Sequence, residues 1–180
     1  MDYLRYQTKS QGVFGVDPDL TTLAKILGGG LPGGAVVGQA GIMDMISHRE
    51  DDEWDMNHRV SHPGTFNANP VSATAGITAL QKIANEPIND RADAMAARLK
   101  AGLRDALNRT EIPGQVHGLA SVVHIALGIE SDDEGISTVP HDRLAKATAG
   151  DRSSMIKLAM LNEGVDMMGG IGFMVSAVHC

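Results

Sequence analysis

An α/β protein follows from three features of this chain. Short apolar segments, broken by Asp17, Pro18 and clusters of glycine, fill the stretch from Val13 to Gly38, the pattern of strands joined by tight loops. Two segments with helical apolar spacing occupy 69–108. The remainder mixes a β-branched apolar run with a short helical one. With 180 residues and 43% hydrophobic content there is material for one ordinary domain or parts of two, and for a packed core.

In chain order, Gly28 to Gly34 reads Gly-Gly-Gly-Leu-Pro-Gly-Gly, a loop, and Ala35 to Val37 is expected as a short strand after it. His48 to His62 is charged, without sustained periodicity, and is expected as a solvated loop in which Trp54 is an anchor or interface residue. Asn69 followed by Pro70 is a helix start, an N-cap with proline at the first helical position. Val71, Ala75, Thr78, Ala79 and Ile83 then share one helical face, and the helix should end near Glu86 and Pro87. Asn89 to Asn108 alternates Ala, Leu and Met with Arg, Lys and Asp at a helical period, so one stripe should be buried. Ser121 to Leu127 is a strand candidate, Asp132 to Asp151 is polar and turn-rich, Met155 to Asn162 is helical, and Gly172 to Val178 is expected as a terminal strand.

Composition excludes several functions. Fifteen Lys and Arg against 22 Asp and Glu give a net charge of −7 with no basic block, which argues against nucleic acid or an anionic membrane as partner. Aromatics are 3%, too few for a base-stacking platform. No apolar run is long enough to span a bilayer, and Met1 to Gln11 is too polar for a secretory signal. The single Cys180 permits no internal disulfide, so the expected location is cytoplasmic. Lone residues such as His117, His124 and His141 are read as structural.

Lys25 is the candidate reactive group. It lies in the run Leu20 to Leu27 and is followed at once by Gly28, Gly29 and Gly30. An ammonium among apolar neighbours with few waters loses solvation of its charged form, which populates the neutral amine that a Schiff base requires. The glycines let the backbone turn sharply and approach a bound group. The plain alternative is a lysine that snorkels to water.

Two motifs carry a family resemblance. Gly15-Val16-Asp17-Pro18-Asp19-Leu20-Thr21-Thr22-Leu23-Ala24-Lys25-Ile26-Leu27-Gly28-Gly29-Gly30-Leu31-Pro32-Gly33-Gly34-Ala35 resembles the cofactor-lysine segment of the class III pyridoxal-phosphate aminotransferases, within them most of all the glutamate-1-semialdehyde aminomutase group. His62-Pro63-Gly64-Thr65-Phe66-Asn67-Ala68-Asn69-Pro70 resembles the family's Gly-Thr-Phe-x-x-Asn-Pro element at the expected distance downstream, and Glu163-Gly164-Val165 with Phe173 to His179 resembles its C-terminal region. The resemblance implies a pyridoxal 5'-phosphate enzyme of fold type I. Residues 1–87 would be the remnant of the cofactor-binding large domain, with a mixed, mostly parallel sheet, and 88–180 a truncated small α/β domain.

It implies that Lys25 holds the cofactor as a Schiff base and then moves the proton. It also implies that Thr65 reaches across a homodimer interface to the cofactor phosphate of the other subunit, with a small amino or keto compound as substrate. The plain alternative for Thr65 is a threonine satisfying backbone donors at the helix start. Thr21 and Thr22 are ordinary strand residues.

The chain departs from that family at its start. Met1 to Arg5 resembles the segment just after the family's Asp-Glu-Val, whose aspartate pairs with the pyridine nitrogen, and Asp2 does not occupy that place. The upstream phosphate loop and the ring-stacking aromatic are missing as well, and the end at His179-Cys180 stops short of a final helix. The expectation is therefore the C-terminal half of an enzyme of about twice this length, with little or no transaminase activity by itself; the competing reading is an inactive interface or scaffold piece. A metal site at His48, Asp51, Asp52, Glu53, Asp55, His58 and His62 has no tight ligand spacing. Gly28 to Gly34 lacks the Gly-Lys-Ser/Thr ending of a P-loop and the spacing of a dinucleotide site.

Overall fold

The computed structural model of the chain describes residues 9–131, 135–148, 150–168 and 172–179, apart from the side chains of 9, 10 and 13. Expectations that fall on Met1 to Arg5 and on Cys180 lie outside the described residues. The chain divides into two compact units, Met1–Glu86 and Pro87–Cys180.

In the first unit, helix α1 (Lys9–Phe14) stops where Gly15 turns left-handed (φ 62°) and the Val16 amide donates back to the Gln11 carbonyl at 2.9 Å. Strand β1 (Leu20–Leu23) pairs antiparallel with β2 (Ala35–Gly38), Leu20 opposite Gly38 and Leu23 opposite Ala35. The mostly parallel sheet expected of this part does not form within these residues. The glycine-rich loop that links the two strands turns back on itself at Gly29 and Gly30, both at positive φ, and so returns β2 antiparallel beside β1. That loop opens with a 3-10 helix, Lys25–Gly28.

Helix α2 (Ala40–Met43) and a 3-10 turn, Asp44–Ile46, lead into the segment expected as a solvated loop. It contains a short helix instead, α3 (Asp52–Asn57), because Asp51 caps it through the Glu53 and Trp54 amides (3.1 and 3.3 Å) and Asp52, Glu53 and Asp55 suit the positive helix start. Trp54 is the anchor: its Nε1 donates to the Ser47 carbonyl at 3.0 Å, and the Arg49 guanidinium lies 3.6 Å over its ring.

Helix α4 (Pro70–Asn85) starts where the sequence places it, with the Asn69 side chain accepting from the Val71 and Ser72 amides at 3.0 and 3.1 Å. Substituting Asn69→Ala leaves both amides unsatisfied and should lower stability by about 1 kcal/mol. The midpoint of urea unfolding followed at the helix checks this.

The second unit is built on α5 (Ile88–Thr110), two residues longer at its C-terminus than the apolar period marks. It packs on a three-stranded antiparallel sheet in the order β3 (Gly114–His117), β4 (Val122–Leu127), β5 (Gly172–Met174). Ala96, Val116, Val123, Ile125 and Met167 form the core, with Leu99, Leu103, Leu107, Ile156 and Phe173 packed around it.

Strand β3 is not apparent from periodicity because its residues are Gly-Gln-Val-His. Gln115 is buried there, and its side-chain oxygen accepts from the Ser137 hydroxyl at 2.9 Å. His117 lies opposite His124 with the rings stacked 5.6 Å apart. Within the stretch expected to be turn-rich stands α6 (His141–Thr148), started by the Pro140 carbonyl accepting from the Leu144 amide at 3.2 Å. Helix α7 (Asp151–Asn162) begins four residues before its expected start. Strand β5 ends at Met174 rather than Val178, since Ser176 turns back and its amide donates to His179 Nδ1 at 2.8 Å.

Candidate active site

Lys25 stands at the corner where β1 passes into the 3-10 helix. Ala24 before it is fully extended (φ −154°, ψ −165°), and Lys25 itself is left-handed with φ 57°. For a residue with a Cβ that conformation costs about 1–2 kcal/mol, and such strain collects at functional positions. Its amine makes no hydrogen bond or ion pair among the described residues, and the side chain is exposed. The dry surroundings expected from the apolar run are not built here. Ile26 is 63% exposed and Leu20 45%, because no buried apolar side chain among the described residues of this unit packs over the run.

The glycines after Lys25 do approach another group closely, but it is the backbone of α4. Gly29, left-handed at φ 59°, faces the Ala75 carbonyl so closely that a Cβ would overlap its oxygen. A Cβ on Gly76 would in turn overlap the Leu27 carbonyl oxygen. Gly76 had no part in the sequence reading; the signal was a lone glycine inside a helical pattern.

Thr65 lies in a turn closed by the Asn67 amide donating to the Gly64 carbonyl at 3.0 Å, with the Asn67 side chain donating to the His62 carbonyl at 3.1 Å. Its hydroxyl is exposed and makes no hydrogen bond among the described residues. Capping at the start of α4 is the work of Asn69, so the plain alternative for Thr65 does not hold.

The two motifs meet along α4. A cleft of about 620 Å³ lies between them, with Gly28 and Gly33 on one side and Phe66, Asn69, Ser72 and Leu80 on the other. Neither Lys25 nor Thr65 is among its lining residues, so these side chains are brought to neighbouring elements and not into one cavity.

The acidic and histidine cluster is paired off internally, His48 with Asp55 (3.2 Å), Arg59 with Asp55 (3.3 Å) and His58 with Glu53 (3.7 Å). Among the described residues no group of three or more His, Cys, Asp or Glu is placed to hold a metal, and no helix is long and apolar enough to cross a membrane.

The family model for aminotransferase class-III matches residues 8–168. The chain belongs to the class III aminotransferases. This class III chain is 35% identical over 144 residues to a glutamate-1-semialdehyde 2,1-aminomutase of Methanococcoides burtonii, an alignment covering 75% of this chain and 32% of that protein. With the protein of the same name from Methanopyrus kandleri it shares 37% identity over 135 residues, 74% of this chain and 30% of the other.

An omega-transaminase from Sphaerobacter thermophilus superposes with a TM-score of 0.73 at 32% identity, covering 93% of this chain and 36% of that one. A glutamate-1-semialdehyde aminomutase from Pseudomonas aeruginosa, solved in complex with PMP, has the same TM-score at 19% identity over 94% of this chain and 37% of its own, a likeness of fold. The fold is thus that of part of a type I transaminase. The alignments cover about a third of the length of these relatives.

Proposed function

We propose that this chain is the lysine-bearing part of a pyridoxal-phosphate-dependent transaminase or glutamate-1-semialdehyde-type aminomutase, with Lys25 as its catalytic group. Residues 1–87 would then belong to the cofactor-binding domain and 88–180 to the small domain, in a cytoplasmic homodimer acting on a small amino or keto compound. The observation that carries this is the conformation of Lys25, a strained left-handed lysine whose amine has no hydrogen-bond or ion-pair partner among the described residues, in a chain of the class III aminotransferases.

The residues present fit two parts of pyridoxal phosphate: an exposed amine for its carbonyl carbon, and at Thr65 an exposed, unengaged hydroxyl for its phosphate. When bound, the cofactor supplies an electron sink for the negative charge left on a substrate carbon that loses its proton. Lys25 Nζ would hold the cofactor covalently. The same Nζ would move the substrate's α-proton, as general base and then general acid at one atom. Thr65 Oγ1 would donate to the cofactor phosphate held in the partner subunit. These residues do not exclude water from Lys25, so that part of the chemistry would rest on polypeptide beyond them.

A second reading, an inactive interface or scaffold piece, is favoured by the first unit's lack of a core: none of its described apolar side chains is buried. One experiment separates the two. The chain is mixed with pyridoxal phosphate, reduced with borohydride and mapped by peptide mass spectrometry. Modification concentrated at Lys25 supports the enzymatic reading; modification scattered over the lysines supports the scaffold. In the first case Thr65→Val should weaken cofactor retention about tenfold or more, the loss of one hydrogen bond to a charged group.

A further inference from the structure

We infer that Gly76 is a positioning residue for Lys25: the backbone-on-backbone seat between α4 and the 3-10 helix sets the direction of the reactive amine. The inference rests on the function proposed above and adds to it a residue from outside both motifs.

Gly28 and Gly76 are the only buried residues among the described side chains of the first unit. Nothing apolar is buried there to hold the Lys25 loop, so its position depends on the place where two backbones touch. The contact is reciprocal. Gly29 admits the Ala75 carbonyl, Gly76 admits the Leu27 carbonyl, and at either point a single methyl group would overlap the opposing oxygen.

The turn is short and internally bonded, with the Gly29 amide donating to the Ile26 carbonyl and the Leu31 amide to the Gly28 carbonyl, both at 3.0 Å. A displacement at Leu27–Gly29 therefore reaches Lys25 within a single turn. Lys25 has little latitude to absorb it, because the left-handed region open to a side-chain-bearing residue is small. Helix α4 also begins directly after the Thr65 turn and is held there by the Asn69 cap, so the same seat fixes the Lys25 loop relative to Thr65. A misplacement of about 1 Å in a reacting group costs on the order of a hundredfold in rate.

The test compares the chain with three variants, Gly76→Ala, Ala79→Gly and Gly41→Ala. Ala79→Gly weakens α4 by about 0.5–1 kcal/mol without entering the seat. Gly41→Ala adds a methyl group in open space. Each protein is labelled once with pyridoxal phosphate and borohydride, and once with acetic anhydride, which reports only the bare amine. The readout is labelling at Lys25 relative to Lys82, an exposed lysine on α4 ion-paired with Glu86 at 3.0 Å.

Gly76→Ala should lower the pyridoxal-phosphate ratio about tenfold or more while the anhydride ratio stays within about twofold, and Gly41→Ala should change neither. An unchanged pyridoxal-phosphate ratio in Gly76→Ala overturns the inference. So does an equal fall in Ala79→Gly, which would trace the loss to the general stability of α4. If the parent chain shows no preference for Lys25, the cofactor reading fails by itself, and amide exchange then judges the seat. The Gly29 and Leu31 amides should exchange faster in Gly76→Ala than in Ala79→Gly, and equal rates overturn the inference.

Discussion

Replacing Lys25 by arginine will abolish site-specific capture of pyridoxal phosphate by this chain while leaving its folding unchanged. Arginine keeps the positive charge and most of the length, and its Cβ meets the same left-handed backbone, so the corner between β1 and the 3-10 helix bears no new strain. The chemistry does not survive. A guanidinium stays protonated at any accessible pH, offers no lone pair to a carbonyl carbon and cannot cycle a proton. Borohydride-trapped cofactor at position 25 should fall to background, and a general base lost from a complete enzyme lowers turnover by about two to four orders of magnitude. Helicity and the exchange protection of the second unit should match the parent. Unchanged total incorporation, moved to other lysines, would sink the assignment of Lys25.

The second large effect is a contrast in hydrogen exchange between the two units. Amides of β3 and β4 should exchange about a thousandfold more slowly than those of β1 and β2, a difference of roughly 4 kcal/mol in opening free energy. Val123, Ala126 and Ala96 are fully buried, and β4 is paired on both edges, by β3 and β5. Strands β1 and β2 form a two-stranded ribbon, marginal in water without a packed face. Above and around them, Leu20, Ile26, Val36, Val37, Phe66 and Ile77 are all exposed, Phe66 by 80%. Open strand edges beside so much apolar surface favour association of the isolated chain. Comparable protection in both units would refute the contrast and would mean that the glycine seat stabilises far more than its area suggests.

Legibility followed range. Asn69 and Pro70 announce α4 because an N-cap and a first-turn proline act on amides two and three residues away. The α5 period and the apolar run of β4 were readable for the same reason: each element's buried face is written along its own length. Strand β3 was not, since Gln115 satisfies its burial through Ser137, 22 residues on. Helix α6 was hidden by its polar composition and is recognised by its packing on β4. The antiparallel direction of the first sheet comes with the reversal of the chain at Gly29 and Gly30, and the expectation of a parallel sheet had been transferred from a larger domain.

By itself the sequence determined which groups are present and where the chain must bend: a lysine before three glycines, a threonine ahead of a capped helix, and a family pattern spanning most of the chain. Those are properties of neighbours along the backbone. Only the tertiary structure decided that Lys25 is exposed and left-handed, that Gly29 lies against the Ala75 carbonyl and Gly76 against the Leu27 carbonyl, and that buried apolar side chains, among those described, lie in the second unit alone. Solvation and backbone approach depend on atoms dozens of residues away, and for the loop that carries Lys25 they include a glycine in the middle of α4.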